Sequence, residues 1–202
     1  MVKERGNGQV SKGGIVERNR SCLAVIDVQQ YFVDRLPLHE RAPLVARIAW
    51  LMRVARALDI PILATAEDVE RNGPLMPELS SVLPSGTPVF NKMIFGLDRQ
   101  ADIKAEVDRI GRDSFVLVGL ETDVCIAHSA LGLAAAGYRA VVIDDACSSP
   151  PPHHEHGLRR LRDAGITVTS AKGIFYEWAR DLATSRRVRS ELNVPIPPGL
   201  TL

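Results

Sequence analysis

Cys125 sits in Val116-Leu-Val-Gly119-Leu-Glu-Thr-Asp-Val-Cys125-Ile-Ala, a run that reads as a buried strand, a tight turn and a helix start, with the cysteine in the first helical turn. Backbone N–H groups there lack helical partners, and the positive end of the helix dipole favours a thiolate over a thiol. Thr122 is the expected N-cap. The adjacent Asp123 carboxylate works the other way by raising the thiol pKa, so a nucleophilic Cys125 requires a cation from elsewhere in the chain. Most free cysteines are small buried hydrophobes, and Cys125 by itself does not define a site.

Two other segments carry the missing charges. Leu23-Ala-Val-Ile-Asp27-Val-Gln29-Gln-Tyr-Phe32 is an apolar run ending in a carboxylate, and Pro88-Val-Phe-Asn-Lys92-Met-Ile-Phe95-Gly96 is a shorter one ending in a lysine. Each charge falls where a strand would stop. Ligands of open parallel sheets bind outside the carboxyl ends of the strands, so Asp27, Lys92 and Cys125 are placed to converge on one crevice. Read singly, the aspartate is a turn former and the lysine a solvated charge.

With these three motifs in this order, spread from Leu23 to Trp178, the chain resembles the isochorismatase-like cysteine hydrolase superfamily, whose triad is Asp, Lys and Cys. The resemblance implies that Asp27 takes the thiol proton and passes it to the leaving amine, and that Lys92 holds thiolate and carboxylate together. It implies an oxyanion hole made by the backbone N–H groups of Glu121 and Cys125, a cis peptide at Leu120–Glu121, and Phe32 as a pocket-lining aromatic. The implied activity is hydrolysis of a C–N bond in a small amide or ureido compound through a thioester. Two alternatives stay open: a vinyl ether hydrolase of the isochorismatase type, and a redox-sensing thiol protein on the same scaffold. The nicotinamidase branch carries an Asp-x-His and a further His after the second strand. The corresponding stretch here, Ala64-Thr-Ala-Glu67-Asp68-Val-Glu70-Arg-Asn-Gly-Pro-Leu-Met, has no histidine, so neither a metal nor another cofactor is expected.

These side chains need a sheet to position them. Strand-like runs recur at Leu23–Val28, Pro61–Thr65, Pro88–Phe90, Phe115–Val118, Ala140–Ile143 and Thr167–Thr169. Helical patterns lie between them at about 42–58, 99–110, 122–136 and 155–164, with a last one near 175–183. The alternation predicts an α/β fold: a three-layer, doubly wound, Rossmann-like and mostly parallel six-stranded sheet with helices on both faces. Gly137 and Gly165 read as helix C-caps. Residues 67–84, rich in Pro, Asn and Gly, read as a loop over the sheet edge.

The remaining signals narrow the class. The 202 residues, 46% apolar, suit one core, read as a single domain over 21–202 behind a flexible arm at 1–20. A net charge of +1 argues against nucleic acid and membrane surfaces as partners. Three widely spaced cysteines, no signal-peptide pattern and no spanning apolar run point to the cytoplasm. Cys22 and Cys147 read as inert thiols, and Gln29 as a supporting residue. His128 follows its helix away from the thiol, which disfavours a Cys–His dyad. His153-His154-Glu155-His156 reads as packing or an interface rather than a metal site. Superfamily members commonly assemble, so a homo-oligomer, dimer or tetramer, is expected, with Trp178 and the Pro-rich tail from Val194 as contact candidates.

Overall fold

The central strands form where apolar residues run without a break, because both faces of the sheet are covered there. The computed structural model describes residues 14–202. Its strands are β1 (Ser21–Ile26), β2 (Ile62–Glu67), β3 (Val89–Lys92), β4 (Ser114–Leu120), β5 (Arg139–Ser148) and β6 (Thr167–Thr169). They lie in the order β3-β2-β1-β4-β5-β6 and every pairing is parallel, so the sheet is doubly wound and wholly rather than mostly parallel. The order reverses between β1 and β4. A crevice opens at such a switch point, beyond the carboxyl ends of those two strands.

Helices α1 (Gln30–Val33), α2 (Leu38–Ala57), α3 (Val69–Asn72), α4 (Pro77–Ser80), α5 (Ala101–Ile110), α6 (Ala127–Ala135), α7 (His153–Asp163), α8 (Ala171–Ala179) and α9 (Leu182–Leu192) connect or flank the strands. Alternate strand residues feed two cores. Leu23, Val25, Val116 and Val118 pack with Ile48 and Leu51 of α2 and with Phe175 and Trp178 of α8, while Ala24, Ile26, Phe115 and Leu117 pack with Ile103, Val107, Leu133 and Leu161 of α5–α7. Each such large side chain contributes about 1.5–3 kcal/mol by leaving water.

Several boundaries differ from the sequence reading. The long second helix begins at Leu38 rather than 42, because Pro43 is tolerated inside it and costs one backbone bond near its start. Residues 67–84 are not all loop: they hold the end of β2 and the short helices α3 and α4. The pattern near 175–183 resolves into two helices. Arg180 turns left-handed at φ 67° and Asp181 caps α9 by accepting from Thr184 N–H at 2.7 Å. Trp178 is fully buried and its Nε1 donates to Ser21 Oγ at 3.1 Å, so it is a core residue and not a subunit contact.

Of the arm read over 1–20, residues 1–13 lie outside the described residues. The rest is docked: Val16 is fully buried, its N–H donates to Glu177 at 2.6 Å, and Arg20 Nε donates to Asp113 at 2.8 Å. Among the described residues no helix is long and apolar enough to cross a membrane.

Gly119 sets the spacing of the two central strands at the crevice. Its φ is +125°, and a Cβ there would lie 2.0 Å from the Ile26 carbonyl oxygen. Gly119→Ala is therefore expected to lower unfolding free energy by about 3 kcal/mol or more, read as a drop in urea midpoint at unchanged slope.

Candidate active site

The carboxyl edge of the sheet gathers four reactive side chains. Lys92 ends β3, Asp27 follows β1, Glu67 ends β2, and Cys125 lies in a turn of π-helix, Thr122–Ile126, that follows β4. Lys92 Nζ lies 2.9 Å from Asp27 Oδ2, 3.4 Å from Cys125 Sγ and 3.4 Å from Glu67 Oε2. Its third hydrogen-bonding direction goes to the Ile94 carbonyl at 3.2 Å. The Asp27–Lys92 contact is an ion pair without a well-angled hydrogen bond, while Asp27 Oδ1 accepts from Thr65 Oγ1 at 2.8 Å. Asp27 and Lys92 have no exposed side-chain surface, and Cys125 is 3% exposed. Asp27 also holds a left-handed backbone, φ 53°, which is sparsely populated for a residue with a side chain.

Burial governs the ionisation of this group. It pushes the Cys125 thiol far above its ordinary value; the Asp27 carboxylate adds to that, Lys92 opposes it and Glu67 adds again. The carboxylates that disfavour the thiolate are thus Asp27 and Glu67, not the neighbouring Asp123. The helix mouth and Lys92 do not outweigh them, so the resting residue is a thiol and not the thiolate its position in the chain suggests. Burial likewise raises Asp27, against the pull of Lys92. For Lys92 burial favours the neutral amine, but the Asp27 carboxylate above all, with Glu67 adding to it, holds it above its usual value and keeps it charged.

Glu67 is the site residue that the sequence reading did not place. Its Oε2 accepts from Cys125 Sγ at 3.1 Å, and its side chain is 19% exposed. Glu67 pairs with Lys92 in the β2–β3 register, which brings the two side chains to one edge. Gln29 clamps the Glu67 backbone from both sides: Oε1 accepts from Glu67 N–H at 2.7 Å, and Nε2 donates to the Glu67 carbonyl at 2.8 Å. Asn72 Nδ2 reaches the same carbonyl at 3.1 Å. One oxygen each from Asp27 and Glu67 and the Cys125 sulfur lie within 4.8 Å of one another, and the Lys92 ammonium already sits among them where a cation would bind.

The turn carrying Cys125 is braced from outside. The Glu121 carbonyl accepts from Val124 at 3.2 Å and from Ile126 at 3.1 Å, the second of these being the i→i+5 bond of a π turn. The Leu120–Glu121 peptide is cis. Thr122 does not cap the helix; it lies inside the turn and its Oγ1 meets His154 Nδ1 at 2.8 Å. Asp123 accepts from Ser149 Oγ at 2.7 Å. At Gly157 of α7 a Cβ would come within 2.8 Å of the Asp123 nitrogen, so the helix lies flush against the turn.

The other candidate residues have these surroundings. Phe32 is buried in the core, edge-on to Tyr31 with ring centres 5.1 Å apart. Phe95, half exposed, lies beside the site, with Lys92 Nζ 5.9 Å from its ring centre. His128 pairs its Nδ1 with the Val124 carbonyl at 2.7 Å, an arrangement that occupies the ring within its own helix. In the histidine cluster, His154 braces Thr122, and His153 lies 3.8 Å from Asp123. Cys22 and Cys147 are buried and unpaired; burial raises both thiols, that of Cys22 to about 12.

Comparison with known proteins agrees with this geometry. The family model described as the isochorismatase domain matches residues 21–173. The rat (Rattus norvegicus) protein isochorismatase domain-containing protein 2 is 29% identical over 181 residues, covering 88% of this chain and 83% of its own. Among solved structures, YcaC from Pseudomonas aeruginosa, with hexane-2,5-diol and covalent acrylamide, superposes with a TM-score of 0.79 at 21% identity over 88% of this chain and 89% of its own. Escherichia coli YcaC, described as an octameric hydrolase of unknown specificity, gives 0.78 at 20% identity, with 88% of each chain covered.

Proposed function

This chain belongs to the isochorismatase family, and from that premise we propose that it is a cysteine hydrolase cleaving a C–N bond of a small amide or ureido compound through a thioester on Cys125. The observation that carries the reading is the Cys125 thiol set 3.4 Å from a fully buried Lys92 that is itself ion-paired to a fully buried Asp27. A nucleophile needs a base, a cation and oxyanion donors, and all three kinds of group are at hand. As sulfur attacks the carbonyl carbon, its proton goes to Asp27, and Asp27 then protonates the departing amine. Lys92 balances the charge that moves between them. The backbone N–H groups of Glu121 and Cys125 receive the oxyanion, a role supported by the Glu121 carbonyl, which accepts from the residues on either side of Cys125. The test is mass spectrometry with a panel of small amides: an acyl group on Cys125 together with released ammonia supports the reading. Sulfenic acid formation with no amide turnover favours a redox thiol instead.

The reading extends to a homo-oligomer in the cytoplasm. A reducing compartment is supported by three unpaired cysteines. Assembly is supported by the apolar side chains that stay exposed, Met93, Ile94 and Phe95 beside Lys92 among them, and by the octameric E. coli neighbour. Light scattering is expected to give a mass at least twice the 22.1 kDa of one chain at micromolar concentration; a monomer alone would count against it.

A further inference from the structure

Two carboxylates face the Cys125 thiol, and they differ in access. Asp27 is closed off, with one oxygen on Thr65 and the other on Lys92. Glu67 accepts the thiol's hydrogen bond at 3.1 Å and keeps 19% of its side chain open to solvent. Three side-chain hydrogen bonds, two from Gln29 and one from Asn72, fix its backbone in place. A glutamate with no task at the sulfur would be a costly choice there, since its charge makes the thiol harder to ionise. From this geometry we infer that Glu67 is the base that activates water for hydrolysis of the thioester, a step separate from the Asp27-assisted attack; the inference rests on the thioester reading above.

The cycle closes without any reactant but water. In the acyl-enzyme the sulfur carries no proton, so Glu67 loses the thiol donor while keeping its contact with Lys92, and accepts from a water entering by its solvent-facing side. The thioester carbon is one bond from Sγ, which puts a water held by Glu67 within attacking range of it. The water oxygen bonds to that carbon as its proton passes to Glu67 Oε2. The C–S bond then breaks with its electron pair going to sulfur, and Glu67 returns the proton to the thiolate. This restores the thiol-to-carboxylate contact of the free protein and releases the carboxylic acid. Asp27, with no exposed side-chain surface and Lys92 on one of its oxygens, is the less open of the two carboxylates to an incoming water.

An activated acyl donor separates the two half-reactions. With p-nitrophenyl acetate, Glu67→Gln is expected to keep the burst of p-nitrophenolate, to accumulate an acetyl group on Cys125 by mass spectrometry, and to lose ~10²-fold in steady-state turnover. Glu67→Ala is expected to behave the same way and to recover turnover ~10-fold when formate is added, because a small carboxylate can enter the solvent-facing space. Steady-state turnover of Glu67→Gln within about 3-fold of the unmodified protein, loss of its burst, or a Glu67→Ala protein that formate does not rescue overturns the role of Glu67 alone. If neither the unmodified protein nor Glu67→Gln carries an acetyl group on Cys125, the thioester reading itself falls.

Discussion

Cys125→Ser is expected to lower kcat on the amide substrate by about 10³-fold or more while leaving the fold intact. Sulfur and oxygen differ little in volume, and the site is already built around a protonated nucleophile, so nothing in the packing opposes the exchange. The chemistry does. A hydroxyl ionises far less readily than a thiol of pKa ~8.5, and the site adds a further penalty to either anion through burial and the charges of Asp27 and Glu67. The thiol must therefore lose its proton as it attacks and not before. It follows that iodoacetamide labels Cys125 of the free protein no faster than a free cysteine at neutral pH. Circular dichroism would check the fold, and an ammonia-release assay the rate. Near-normal turnover in Cys125→Ser would remove the covalent step and bring the vinyl ether hydrolase forward as the leading function.

Lys92→Met is expected to cost about 3–5 kcal/mol of stability as well as nearly all activity, because it leaves a fully buried carboxylate and a mostly buried one facing each other with no cation between them. The pH dependence distinguishes this cause from simple mispacking. Burial already raises Asp27, and without Lys92 its folded-state pKa rises further above the unfolded value. A folded state that binds more protons than the unfolded one loses stability as pH rises. The deficit of Lys92→Met should thus be largest at neutral pH and shrink as pH falls through the raised carboxyl pKa. Urea unfolding at several pH values measures it. A deficit that does not change between pH ~4 and ~7 would mean that the lost ammonium is not the cause.

Asp27 and Lys92 were legible because each breaks an apolar run at the point where a strand ends, and Cys125 because it opens the helix after one, patterns that need no knowledge of tertiary contacts. The same pattern was present at Glu67, which closes Ile62-Leu-Ala-Thr-Ala-Glu67. Reading that strand as ending at Thr65 left Glu67 in a loop and hid it. Its proximity to Lys92 comes from the register of β2 on β3, and register is a property of the assembled sheet that no single segment carries. The resting state of the thiol was hidden for a related reason. Helix-mouth position is local and visible in sequence, whereas burial and the approach of two carboxylates arise only when four strand ends meet. Helix α9 escaped because its sequence, Leu-Ala-Thr-Ser-Arg-Arg-Val-Arg-Ser-Glu-Leu, is mostly polar and buries little more than Ser185 and Val188. The six-strand alternation needed no such context, and the doubly wound order followed from it.

The face of α7 that meets the π turn, with Gly157 flush on Asp123 and His154 on Thr122, aligns the nucleophile from behind. Those contacts involve Thr122 and Asp123 and not the Cys125 sulfur, whose own partners are Lys92 and Glu67. On the proposed reading, attack geometry is held by the π turn and α7, while recognition falls to the loops at the carboxyl edge of the sheet. Within the segment from Val69 to Ser80 the exposed positions, such as Glu70, Arg71 and Glu78, can take new side chains, whereas Asn72 and the buried Leu75, Met76 and Leu79 are tied to the site and the core. Such a scaffold lends itself to divergence: a descendant can acquire a new substrate through its loops without first rebuilding its reactive centre, whereas an alanine at Gly157 would disturb every substrate alike.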